Sequence, residues 1–203
     1  MNQWETLASD ASIKSASEAL KANGIETIVV GSGAEAAKKV LELLPKGAEV
    51  MDMTSQTLDV IGISKEIEES GNFDSVRKKL LSMDRNTQGS EMRKLGAAPD
   101  WAVGSVHAVT EDGKVVVASA TGSQLPGYAY GAGRVIWVVG TQKLVRNLDE
   151  AMKRIHEYVF PLEDARARKV YGMGSNVSKL LIVNKEFAPG RITLIFAKEK
   201  LGF

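Results

Sequence analysis

Apolar residues recur at helical spacing in some segments of this chain and as short continuous runs in others, and the two patterns alternate. In residues 2–22, Trp4, Leu7, Ile13, Ala16 and Leu20 follow a helical repeat that Asn23-Gly24 stops. A strand is expected at 25–30. Ser32 and Glu35 then have capping-box spacing, Ala37, Val40, Leu41 and Leu44 form one apolar face, and Pro45 with Gly47 ends the helix. A second strand is expected at 49–53, followed by a helix carrying Leu58, Ile61 and Ile63. Residues 65–98 are rich in charges and helix formers and predict two or three helices, with Asp74 as a cap and Gly96 and Pro99 at the exit.

From Trp101 to Gly140 the pattern changes to period two and continuous apolar runs. Residues 101–113 and 114–124 read as two strands around Asp112-Gly113, a pair preferred in type I′ turns, and a glycine-rich segment leads to a strand at 135–140. Beyond it, Asn147 and Glu150 repeat the capping-box spacing. Leu148, Met152, Ile155 and Val159 form a stripe that Pro161 is expected to end, with a further helix over 161–170. The last two strands, 179–184 and 191–197, flank Pro189-Gly190 and suggest an antiparallel pair. The whole predicts an α/β fold with a mixed, mostly parallel sheet flanked by helices, as one domain over 1–203 with the N-terminal helix, 1–23, packed on it.

Composition narrows the function classes. The chain has 203 residues, 44% hydrophobic and 25% charged, with a net charge of +1, as in ordinary globular proteins. Acidic and basic residues are interleaved, which argues against nucleic acid or an anionic membrane surface as partner. With no cysteine, disulfides and thiol chemistry are excluded, and the two histidines make a transition-metal site unexpected. The N-terminal residues lack a signal-peptide pattern and no apolar run is long enough for a membrane helix, so a cytoplasmic location is expected.

Three segments offer chemistry. Thr54, Ser55, Gln56 and Thr57 place four hydrogen-bonding side chains at a strand-to-helix junction, as either an ordinary N-cap or an anion site. Thr121, Gly122, Ser123 and Gln124, with Gly131, Gly133 and Arg134, bracket a short segment where small residues allow a ligand to approach the backbone. Glu111, beside the turn, is either solvated or a carboxylate base or nucleophile. Gly31-Ser32-Gly33 with Asp52 about 20 residues on fits a dinucleotide fingerprint, or a plain structural turn with Ser32 as cap and Glu35 in the first helical turn. His107 and His156 read as structural or solvated.

Residues 53–62 (Met-Thr-Ser-Gln-Thr-Leu-Asp-Val-Ile-Gly), 108–113 (Ala-Val-Thr-Glu-Asp-Gly), 134–145 with Gly140-Thr-Gln-Lys143, and the closing Leu201-Gly-Phe203 resemble the LUD domain family, named for lactate utilization. The resemblance implies a three-layer α/β fold related to ribose-5-phosphate isomerase, glucosamine-6-phosphate deaminase and CoA transferases. It also implies a role in lactate or organic-acid utilization beside iron–sulfur partner proteins. Some relatives carry a cysteine cluster where this chain has 171–176, so no iron–sulfur centre, and no other cofactor, is expected in the chain itself. CoA transferases of this fold carry a glutamate in a Glu-Asn-Gly turn, similar in type to Glu111-Asp112-Gly113, which implies acyl chemistry there. The expected ligand is a small anionic metabolite: a carboxylate, sugar phosphate or CoA ester. The competing readings are an accessory subunit docking a redox partner and a dinucleotide-binding protein; a homo-oligomer is a separate expectation.

Overall fold

Val135, Ile136, Trp137, Val138 and Val139 are all buried, because strand β7 (Arg134–Gly140) runs through the middle of a sheet covered on both faces. In the computed structural model, which describes residues 2–203, this sheet has six parallel strands. They are β1 (Glu26–Val30), β2 (Glu49–Asp52), β3 (Asp74–Ser75), β4 (Trp101–Gly104), β7 and β10 (Ile192–Ala197), in the order β1-β10-β7-β4-β2-β3. Parallel strands need crossovers, and the helical segments supply them: α2 (Gly33–Leu43), α3 (Gln56–Val60), α4 (Ile63–Glu69), α5 (Val76–Ser82) and α6 (Arg85–Ala97).

Alternate residues of the central strands serve two cores. Ile136, Val138 and Ile195 pack with Ala36, Val40, Leu58, Ile63 and Ile67 of α2 to α4. Val135, Trp137, Val139, Leu194 and Phe196 face the other way, onto Ile13, Ala16 and Leu20 of α1 (Asp10–Ala22) and onto Val109, Val115 and Val117. Those valines belong to a second sheet, β8-β5-β6-β9, formed by β5 (Ala108–Thr110), β6 (Val115–Ser119), β8 (Leu144–Val145) and β9 (Lys179–Val183). Its outer face, with Ala108, Val116, Ala118 and Val145, is covered by Ala151 of α7 (Leu148–Arg154) and by Ile155 just after it. The architecture is thus a three-layer α/β core with a small sheet and a helix built outward from one side.

Several expectations from the sequence change here. The apolar run after Trp101 is two strands in two sheets, because the chain leaves the central sheet at Gly104 and joins the second one at Ala108. The last two strands do not pair with each other. β9 pairs antiparallel with β6, while β10 enters the central sheet in parallel between β1 and β7. The N-terminal stretch is a short helical turn, Gln3–Glu5, and then α1 capped by Ser9; Met1, which falls within the expected helical segment 1–23, lies outside the described residues. Ser75, beside Asp74, caps α5.

Pro161 does not end its helix. α7 passes through a widened π-helical turn, Ile155–Val159, into α8 (Phe160–Tyr171), and the wider turn accommodates the missing N–H of Pro161 and the bulk of its ring. The hairpin at Asp112 is not type I′ either. Only Gly113 has positive φ, at 82°, and Thr110 O accepts from Gly113 N, so the loop is a type I turn followed by a left-handed glycine. No helix among the described residues is long and apolar enough to cross a membrane.

Candidate functional site

The carboxyl ends of β2, β4 and β7 open into a cleft of 1080 Å³. That is where an open α/β sheet gathers polar groups, because the loops leaving the strands there are free of sheet packing. Thr54, Ser55, Gln56 and Thr57 leave β2, Ser105, Val106 and His107 leave β4, and Lys143 follows β7. A second wall is the end of β6 with residues 120–124. α5 and α6 form a third, and the π-helical turn, α8, the loop at 173–177 and Phe203 close the fourth.

Two of the segments singled out from sequence meet here. Ser55 caps α3 by accepting from Leu58 N, and Arg77 donates to Thr54 Oγ1 at 3.2 Å. Across the cleft, Thr121 Oγ1 and Ser123 Oγ lie 3.1 Å apart, Gly122 N donates to Ser119 Oγ, and Gln124 Nε2 donates to Ala118 O. Gly131, Gly133 and Arg134 do not line the cleft. Gly133 N and Arg134 N donate to Pro99 O and Asp100 O, and the Arg134 guanidinium binds Gly190 O, at the opposite end of β7.

Glu111 is also outside the cleft. Its hairpin sits at the far end of β5 and β6, where Asn23 Nδ2 at the end of α1 donates to Gly113 O at 3.0 Å. The dinucleotide fingerprint is contradicted by both chemistry and topology. Gly31 N and Gly33 N donate to the carboxylates of Glu35 and Glu199, at 2.8 and 2.7 Å, so the amides that would hold a pyrophosphate hold side chains instead. Between β1 and Asp52 on β2 stand three other strands.

The chemistry of the cleft floor centres on residues that sequence reasoning passed over. Lys143 is buried, at 2% exposure, and its Nζ donates to Thr57 Oγ1 at 2.9 Å and to Ser105 Oγ at 3.1 Å. Burial, and then the Arg154 guanidinium, hold its amine well below the usual lysine range. Arg154 is itself wholly buried: its Nη1 donates to His107 O at 2.6 Å, its ring neighbour is Tyr158 at 5.3 Å, and Nε and Nη2 have no hydrogen-bond partner. His107 Nδ1 accepts from Ala118 N at 3.0 Å, which places the imidazole proton on Nε2. Burial first, and then the neighbouring basic groups of Lys143 and Arg154, push this histidine down to about 3.

Asp52, at the end of β2, is fully buried with neither carboxyl oxygen hydrogen-bonded; Arg77 Nη1 approaches it at 3.6 Å. Burial dominates over Arg77 and raises this carboxyl to about 7. Around the rim stand Arg77, Arg85, Arg93 and Arg166, and Glu163, the one acidic side chain among the described lining residues, is bound to Arg166 through two 2.7 Å hydrogen bonds. Position past the end of the most apolar strand was the signal that could have marked Lys143.

Gly140-Thr-Gln-Lys143 and Leu201-Gly-Phe203 prove to be one structural unit. Gln142 Nε2 donates to Leu201 O at 3.0 Å, Thr57 Oγ1 donates to the same carbonyl at 3.1 Å, and Phe203 reaches the cleft wall. Two segments that mark the family in sequence therefore meet under the cleft floor.

Comparison with solved structures agrees with the fold. A DUF162 family protein from Deinococcus radiodurans aligns with a TM-score of 0.59 at 11% identity, over 95% of this chain and 99% of that one. No curated protein matches the chain. The LUD domain profile matches residues 13–196, which takes in every strand except the last residue of β10 and almost every wall of the cleft, and on that extent the chain belongs to the LUD domain family.

Proposed function

We propose that the cleft binds a small anionic metabolite of organic-acid metabolism and that this binding is the chain's role within a family associated in general with lactate utilization. One observation carries the reading: the guanidinium groups of Arg77, Arg85, Arg93 and Arg166 line the cleft, against Glu163 as the one acidic side chain among its described lining residues. Such an imbalance in a concave site attracts anions, and a guanidinium matches a carboxylate or phosphate in two-point contact. The volume lies at the upper end of the range for small-molecule pockets, so an acid larger than lactate, a sugar phosphate or part of a CoA ester also fits. A concave cleft rimmed by arginines favours a ligand over a docking surface for a redox partner, which would be flatter.

Thermal unfolding in the presence of lactate, pyruvate, acetyl-CoA and sugar phosphates tests the reading. A ligand at about 100 times its dissociation constant adds roughly 2.7 kcal/mol of stability. Arg93→Gln and Ser123→Ala should weaken that response without lowering the stability of the free protein. No response to any of the anions would turn attention to the docking role.

A further inference from the structure

The hydrogen bonds around Lys143 have a direction. Thr57 Oγ1 gives its proton to Leu201 O at 3.1 Å, and Ser105 Oγ turns its own toward Val106 O at 3.5 Å. Both hydroxyl oxygens therefore face Nζ as acceptors, and Lys143 must be the donor in each contact, at 2.9 and 3.1 Å. A neutral amine has two N–H bonds and one lone pair. Two acceptors satisfy it completely and leave the lone pair uncommitted. An ammonium ion would carry a third N–H and a full charge into a site whose charged neighbour is another cation, Arg154, and where no carboxylate pairs with it among the described residues.

Resting on the reading of the cleft as a metabolite site, we infer that Lys143 is a carbonyl-reactive amine that forms an imine with a 2-oxo acid or an aldehyde held in the cleft. The Nζ lone pair adds to the carbonyl carbon, forming the C–N bond while the C=O π pair moves to oxygen. One amine proton passes to that oxygen to give a carbinolamine. The hydroxyl then leaves with the second amine proton as water, and the nitrogen lone pair closes the C=N bond. No oxidant, reductant or metal is required. Burial biases Nζ toward its free-amine form, and the same burial limits hydrolysis of the imine. His107, with its proton on Nε2, lines the same cleft as a neutral donor for the departing oxygen.

The test treats the full chain with pyruvate or glyoxylate and sodium cyanoborohydride, then maps modified lysines by peptide mass spectrometry. Each unit of pKa lowering makes roughly tenfold more free amine at neutral pH. Lys143 should therefore be alkylated at least roughly tenfold faster than the exposed lysines, and Lys143→Met should lose that adduct alone. Mapping the wild-type chain does not depend on how the variant folds. Alkylation spread over exposed lysines with Lys143 unmodified overturns the inference. Lactate, which has the carboxylate but no carbonyl, separates the two readings: stabilisation by lactate or pyruvate without an adduct at Lys143 leaves the binding site standing and removes only the imine. Neither stabilisation nor adduct removes both, and an adduct without any response to lactate keeps the amine and restricts the site to carbonyl compounds.

Discussion

Lys143 Nζ lies 2.9 Å from Thr57 Oγ1, and through this one contact the exit of β7 is tied to the first turn of α3. The same hydroxyl donates to Leu201 O, so the tail of the chain hangs on it as well. Three segments far apart in sequence thus share one oxygen beneath the cleft.

Thr57→Val keeps the shape and removes the oxygen. Leu201 O then keeps only its bond from Gln142, and one Lys143 N–H loses its acceptor, at a cost of about 1–3 kcal/mol. Urea unfolding should show that loss, with Phe203 more accessible to quenching or proteolysis in the folded state. Unchanged stability would mean the hydroxyl is not a structural link.

Lys143→Met should stabilise the protein at neutral pH, by on the order of 1–3 kcal/mol, since it removes a buried amine that carries a desolvation cost. The sign follows from linkage. The folded amine has a pKa below 10.5, so as pH falls from 10.5 the unfolded chain takes up the proton first and the wild type loses stability. The gap between variant and wild type should therefore close as pH rises from 8 towards 10.5. Parallel stability curves across that range would show an ordinary, charged lysine.

Asp52 slopes the other way. Its carboxyl is raised from 3.8 to about 7, mainly by burial, so its protonated form is the one the fold favours. That stability is fully present below pH 4 and is lost as pH rises through about 7, by at most roughly 4 kcal/mol. Asp52→Asn, which mimics the protonated group, should match the wild type at pH 4 and exceed it at pH 8. Arg77 keeps Glu68 as a partner at 3.4 Å, so the substitution does not strand the guanidinium. A wild type that is the more stable at pH 8 would place the ionised carboxylate, paired with Arg77, at the centre of the site instead.

His107 should stay neutral far into acid. With its pKa pushed down to about 3, the folded ring refuses a proton that the unfolded chain accepts near 6.5, and stability falls between those values as pH drops. NMR titration of the imidazole should show no shift above about pH 4, and His107→Asn, which keeps an acceptor for Ala118 N, should flatten acid unfolding by roughly 3 kcal/mol. A midpoint near 6.5 would mean that the ring is open to water.

Local patterns in the sequence carried much of this architecture. Ser32 does cap α2 through Glu35 N, Asn147 caps α7 through Glu150 N, and the valine-rich run at 135–139 is the fully buried strand it promised to be. Thr54 to Thr57 and Thr121 to Gln124 do line one cleft. Long-range pairing was less legible. Nothing local distinguishes β9 from β10, yet one joins the small sheet and the other the large, because strand choice depends on what the rest of the chain leaves unpaired. The cleft's basic centre was hidden for the same reason: Lys143, Ser105 and Thr57 are scattered in sequence, and only the parallel sheet brings their strand ends together.

Gly140 explains why Lys143 stands three residues after it. A β-carbon at Gly140 would lie 2.2 Å from Gln142 Oε1 and 2.7 Å from both Glu199 O and Leu201 N, so the end of β7 accepts the tail only where no side chain intervenes. Once the tail is seated, the short helical turn Thr141–Lys143 aims Gln142 at Leu201 and Lys143 at Thr57 and Ser105. Gly140→Ala must displace backbone atoms, since two of the three close neighbours belong to the main chain, and a cost above 3 kcal/mol is expected on the order of a severe core substitution. Gln142→Ala relieves only one of the three clashes, so the double variant should recover little of the loss. Substantial recovery would mean that the tail can shift as a unit, and the amine would then keep its place without the glycine.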